Sequence, residues 1–223
     1  MRITCLHTAE SNIAVFDAAA AALGIGPQVL HHVVRPDLLA ATEHAGTLTA
    51  GIAEETRRVL VALAQHGDAV VLTCSTLGPA VERAGTHTRV PILRADEALA
   101  LAAVQAGGKV VVLCAVQTTL EPTSRLFFQA AQHAGASVEV LMVPDAWAMF
   151  KAGNMDGYLA TIAQAAERAY VAGASIVALG QASMSGAASL VTAGPAPLTS
   201  ASTGLRAALD AVLSHAKRGY DPG

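Results

Sequence analysis

The chain of 223 residues is 53% hydrophobic and only 14% charged, which supplies a large core and excludes a disordered polymer. A net charge of -3 with no basic run leaves no electrostatic footprint for nucleic acid, so the expected partner is a small molecule. The longest apolar stretches, such as Val110 to Val116, fall far short of the roughly 20 residues that cross a bilayer, and no membrane partner is expected.

Met1 to Leu6 enters a strand-like pattern at once, without the basic start, long apolar run and small-residue site of a signal peptide. Three cysteines, Cys5, Cys74 and Cys114, form no CxxC and no paired framework, which suits a reducing compartment; the expected location is cytoplasmic. Strand-like runs then alternate with Ala-rich helical stretches. The strand Arg2–His7 is followed by a helix at Ile13–Leu23, a strand at Gln28–Val34, a helix at Leu48–Gln65 and a strand at Ala69–Thr73. A helix at Ala95–Ala106, a strand at Lys109–Cys114 and a helix at Thr123–Ala134 come next. The series ends with the strand Ser137–Val143, the helix Met155–Val171, the strand Ser175–Leu179 and the helix Gly204–Lys217. The strands are nearly apolar on both faces, as parallel strands are when crossover helices cover each side, so the class is α/β.

The chain also aligns with itself. Arg2 to His7 matches Lys109 to Cys114, Val34-Arg35-Pro36-Asp37 matches Met142-Val143-Pro144-Asp145, and Phe16 through Gly24 matches Phe127 through Gly135. Val71 to Gly78 then answers Ala178 to Ser185, and all four separations fall at roughly 107–111 residues. A period this long exceeds that of stacking repeats, so each copy is a half-domain. The expectation is two pseudo-symmetric flavodoxin-like lobes with parallel sheets and an active-site cleft between them. Residues 1–95 with 204–223 form the first and 96–203 the second. Homo-oligomerisation is possible on Ala-rich helix faces.

Ligands of open parallel sheets bind beyond the carboxyl ends of the strands. Those ends are His7-Thr8, Cys74-Ser75-Thr76, Cys114 to Thr119, and Gly180-Gln181-Ala182-Ser183. Cys74, between an apolar strand and a Ser-Thr-Leu-Gly-Pro turn, is the expected reactive group, because a helix N-terminus favours the thiolate. Ser75 and Thr76 either hold a substrate oxyanion or cap a helix; Thr118 and Thr119 suit a carboxylate. His7 can relay a proton or be structural, and a strand-end Cys114 is more often core. His31 and His32 sit within a strand, and His44, His66, His87, His133 and His215 read as surface. Cys5-x-His7 puts two donors on one strand face, but no further spacing matches a zinc pattern and no metal is expected. Gly24-Ile25-Gly26 and Gly107-Gly108 precede strands, so they are helix ends and not a dinucleotide loop, and no cofactor is expected.

With its duplicated lobes, the segment Thr73-Cys74-Ser75-Thr76-Leu77-Gly78 resembles the aspartate/glutamate racemase superfamily, which includes hydantoin racemases and arylmalonate decarboxylase. The resemblance spans nearly the whole chain. It implies a cofactor-independent enzyme in which two cysteines, one per lobe, move a proton on the carbon beside a carboxylate, and Cys74 corresponds to the first. Thr118 and Thr119 match the family's carboxylate-binding strand end, Ser75 and Thr76 match the residues beside its first cysteine, and His7-Thr8 falls where glutamate racemases carry Asp-Ser. The second cysteine is replaced: Gly180-Gln181-Ala182-Ser183-Met184 puts Gln181 in its place, and an amide is not a base. The expected function is therefore a racemase- or isomerase-type enzyme using Cys74 on an amino acid, a hydantoin or a related small acid. Its alternatives are a single-cysteine decarboxylase of a malonate-like acid and a non-catalytic carboxylate-binding protein.

Overall fold

In the computed structural model, which describes residues 1–84, 88–132 and 134–218, two parallel four-stranded sheets organise the chain. The first contains β1 (Ile3–His7), β2 (Leu30–Val34), β3 (Ala69–Leu72) and β4 (Ile92–Arg94), in the order β2-β1-β3-β4. Its crossovers carry α1 (Asn12–Ala22), α2 (Pro36–Ala45), α3 (Ala50–Ala64) and a 3₁₀ helix, Ser75–Ala80, that runs into α4 (Val81–Ala84). After α5 (Ala95–Gln105), the second sheet takes β5 (Lys109–Cys114), β6 (Ser137–Met142), β7 (Ile176–Leu179) and β8 (Leu198–Thr199) in the order β6-β5-β7-β8. Its connections hold α6 (Gln117–Ala131), α7 (Ala146–Lys151), α8 (Met155–Val171) and a 3₁₀ helix, Ala182–Leu190; α9 (Ser200–Arg218) ends the chain. The contacts divide into two compact units, Met1–Ala95 with Ala201–Gly223, and Asp96–Ser200.

The two sheets repeat one topology because each is built from the same succession of residues. Strand alternation splits the apolar side chains of β5 and β7 between two cores. Val111, Leu113, Val177 and Leu179 pack with Tyr158 and Ile162 of α8, while Val110, Val112, Ile176 and Ala178 pack with Leu99 of α5 and Phe127 of α6. In the first unit Leu6, Val70 and Leu72 meet Leu38 of α2 and Leu60 of α3 on one face. Phe16 and Phe127, matched in the repeat, are both fully buried. α9 packs closely on its neighbours: a Cβ on Gly204 would lie 3.0 Å from Ala95 Cβ at the start of α5 and 3.7 Å from Val71 Cγ1 of β3.

Two short strands absent from the sequence reading lie beside its expected lobe boundaries at 95/96 and 203/204. Both are edge strands, three and two residues long, too brief to show periodicity. Segments 36–45 and 146–151, to which the sequence reading assigns no element, are the helices α2 and α7. Pro36 begins α2, where its missing N–H costs nothing. α6 starts six residues earlier than Thr123 and carries Pro122 inside its second turn. His87 and His133 lie outside the described residues. Among the described residues no helix is long and apolar enough to cross a membrane.

Candidate active site

With β2 and β4 leaving on opposite sides of the adjacent pair β1 and β3, the carboxyl ends of that pair mark the point where connections diverge, the usual ligand crevice of an open α/β sheet. Thr8 follows β1 and Cys74 follows β3. Cys74 has extended backbone (φ -97, ψ 112) and stands at the N-cap of the 3₁₀ helix Ser75–Ala80, where the Leu77 N–H donates to its carbonyl at 3.2 Å. The Thr8 hydroxyl, the backbone N–H groups of Leu77 and Thr76, and the Thr76 hydroxyl are the groups that favour the ionised form of its thiol. Ser75 and Thr76 are buried, whereas Cys74 keeps partial exposure.

These groups act against each other. Burial raises the Cys74 pKa above its ordinary 9.0, while the four donors pull it down. The sequence places the thiol near a helix end that favours the thiolate; burial acts the other way here and is the larger influence. Gly78, four residues on, leaves room for a buried guanidinium: a Cβ there would sit 2.3 Å from Arg94 Nη2.

His7 is fully buried, and both its ring nitrogens are engaged. Nδ1 lies 2.9 Å from Thr73 Oγ1, Nε2 lies 2.9 Å from His32 Nδ1, and His32 Nε2 lies 3.1 Å from Asp17 Oδ1. The Phe16 ring meets His7 edge-on at 5.1 Å between centroids. Burial first, then His32, lower the His7 pKa to about 4, with Asp17 acting the other way, so the imidazole is neutral at physiological pH. The sequence reading places His7 among the catalytic groups; the structure buries its ring with a partner on each nitrogen.

In the second unit Gln181 occupies the position after β7 that Cys74 holds after β3, at the N-cap of Ala182–Leu190. Both ends of its amide are tied within the unit. Oε1 accepts from the Ala115 N–H at 2.8 Å, and Nε2 donates to Thr119 Oγ1, whose hydroxyl donates to the Val116 carbonyl at 2.7 Å. Thr119 is buried and Thr118 exposed in the first turn of α6. Cys114 is fully buried; desolvation pushes its pKa up to about 11 against the opposing influence of the Thr123 and Thr119 hydroxyls. Ala182 is buried, and the Ser183 hydroxyl meets Tyr158 Oη at 2.8 Å. Gly180 is required for this turn, since a Cβ would come 2.8 Å from the Leu113 carbonyl oxygen.

The structure thus gathers Thr8, Cys74 and Thr76 in one unit, and Cys114, Thr119 and Gln181 in the other. Sequence reasoning missed Thr73, His32 and Asp17. The signal lay in parallel pairing, since Cys5 stands beside His32 on β2 in the sheet register. Cys5, His7 and His32 also form the group of potential metal donors among the described residues, with ligand atoms within 4.8 Å of one another.

A family model described as Asp/Glu/Hydantoin racemase matches residues 6–208. No curated protein matches the sequence. Among solved structures, an aspartate racemase homologue from Pyrococcus horikoshii is 14% identical with a TM-score of 0.67, covering 95% of this chain and 99% of that one. A glutamate racemase from Thermus thermophilus is 18% identical with a TM-score of 0.63, over 100% of this chain and 83% of that one. An allantoin racemase from Klebsiella pneumoniae is 17% identical with a TM-score of 0.64, over 96% and 88%. At these identities the structural likeness establishes the fold.

Proposed function

Since the chain belongs to the Asp/Glu/Hydantoin racemase family, and with it to the racemase-type isomerases, we propose that Cys74 moves the proton on a substrate carbon next to a carboxylate or an equivalent carbonyl. The substrate is an amino acid, a hydantoin or a related small acid, a class supported by the names of the similar solved structures, which include aspartate, glutamate and allantoin racemases. No cofactor takes part. The observation that carries the reading is the set of donors around the Cys74 sulfur, supplied by Thr8, Thr76 and Leu77.

Those donors stabilise the thiolate once formed, and the raised pKa makes that thiolate a stronger base toward a weakly acidic C–H bond. The thiolate takes the α-proton, and the electron pair of the broken C–H bond passes into the bond toward the carboxylate. The negative charge of the resulting enediolate comes to rest on its oxygens, where N–H and hydroxyl donors hold it best. Protonation of the opposite face inverts the centre. A water molecule supplies that proton, and the hydroxide it leaves takes the proton from the Cys74 thiol, restoring the thiolate.

Single enantiomers of aspartate, glutamate, other amino acids and 5-substituted hydantoins, including allantoin, provide the test, with optical rotation and chiral chromatography as readouts. One compound class is expected to lose optical activity, with Cys74→Ser slower by about 10²–10⁴-fold. Full activity in the Cys74→Ser variant, or none on any compound, would overturn the proposal.

A further inference from the structure

His7 and His32 bring two ring nitrogens together in the β1–β2 pair: His7 Nε2 lies 2.9 Å from His32 Nδ1. Their other nitrogens both have partners, His7 Nδ1 the Thr73 hydroxyl, which also lies 3.1 Å from the Leu6 carbonyl, and His32 Nε2 the Asp17 carboxylate. Cys5, two residues before His7 on β1 and in register with His32 on β2, adds a third donor, and one ligand atom from each of the three lies within 4.8 Å of the others.

We propose that Cys5 Sγ, His7 Nε2 and His32 Nδ1 form a binding site for a zinc-type divalent cation on the inner face of the β1–β2 pair. Two imidazoles and a thiolate are a borderline-soft donor set that suits zinc, and the outer partners are those of a metal site. Each ligating imidazole donates its other N–H, His7 to Thr73 and His32 to Asp17. A tetrahedral ion with Zn–N bonds of about 2.0–2.1 Å holds its nitrogens roughly 3.3–3.4 Å apart, so the imidazoles open by a few tenths of an ångström and the sulfur closes in by up to about 1 Å. Binding sends the Cys5 thiol proton and any bridging proton to water. The ion's two positive charges are then matched by the Cys5 thiolate and the Asp17 carboxylate. His32 is only part-buried, with 14% of its side chain exposed, and gives the ion a way in. Three protein donors leave the fourth position to water. Such an ion staples β1 to β2 immediately before Thr8, and it takes no part in the proton transfer at Cys74.

The test uses the full chain, stripped by chelator and dialysed, then titrated with zinc or with cobalt(II) as a coloured substitute. The expected result is one zinc per chain bound at micromolar concentration, a raised melting temperature, and a near-ultraviolet thiolate-to-cobalt band. Cys5→Ser and His32→Gln lose the band and the tight binding. Asp17→Asn binds about 10–100-fold more weakly, and Cys74→Ser binds as the parent does. Circular dichroism confirms that each variant is folded; if Cys5→Ser is not, the partly exposed His32→Gln and Asp17→Asn decide. No zinc uptake at micromolar concentration would leave a proton alone between the rings and overturn the proposal. Unchanged uptake in the folded His32→Gln and Asp17→Asn variants would do the same.

Discussion

In the proposed reaction the Cys74 thiol, whose pKa sits above its ordinary value despite the four donors near it, is a base that must first lose its proton. The pH dependence follows from the sign of the shift. The reactive species is the thiolate, so alkylation of Cys74 by iodoacetamide and the catalytic rate should both rise about tenfold per pH unit through neutrality and keep rising past pH 9.0, the ordinary thiol value. A plateau below pH 8 would contradict this. Thr8→Val removes one hydrogen bond to the charged sulfur and should move the alkylation profile upward by about one to two pH units, the equivalent of roughly 1.5–3 kcal/mol. The place of Cys74 was legible in the sequence, because a cysteine after an apolar strand and before a Ser-Thr turn has a defined position in an open sheet. Its protonation was not, because desolvation depends on how tightly Ser75, Thr76 and Leu77 close around it.

Elements carry the site by where they end. The turn after β7 has no space for a side chain at Gly180, so Gly180→Ala should cost about 1–3 kcal/mol and push Gln181 away from the Ala115 N–H, both measurable by denaturant midpoint and amide exchange. Phe127→Ala empties the centre of the packing between α6 and the second sheet and should cost about 3–5 kcal/mol by the same midpoint. Long β-branched runs such as Lys109–Cys114 announced their strands, whereas β4 and β8 are too short to show a pattern and exist because β3 and β7 offer a free edge. Gln181 was found by aligning the chain with itself. Its self-satisfied amide could not be, since the partners Ala115 and Thr119 lie 66 and 62 residues away in the sequence.

Taken whole, the molecule spends its duplicated sequence on two copies of one topology and then differentiates the strand ends: Thr73-Cys74 in one, Gly180-Gln181 in the other. Burial of weak acids gives the whole chain an alkaline limit. Cys114 is held at about 11 against an ordinary 9.0, and Tyr158, buried and beside Ser183, at about 12 against 10.0. In both cases the unfolded chain releases its proton first, so stability is full below the ordinary pKa and falls as pH rises toward the folded one. Unfolding free energy should drop by on the order of 2 kcal/mol per group across its window, and Cys114→Ala should flatten the part between about pH 9 and 11.

The central claim is that one thiol, that of Cys74, handles the substrate proton. The most direct measurement follows the α-hydrogen signal by NMR in heavy water for the compound that racemises, with wild type and Cys74→Ser side by side. The account predicts that the signal disappears at least as fast as optical activity is lost, because the thiol returns solvent deuterium to its own face as well, and that Cys74→Ser slows both by about 10²–10⁴-fold. Exchange that persists unchanged in Cys74→Ser, or inversion that retains the original hydrogen, would contradict it.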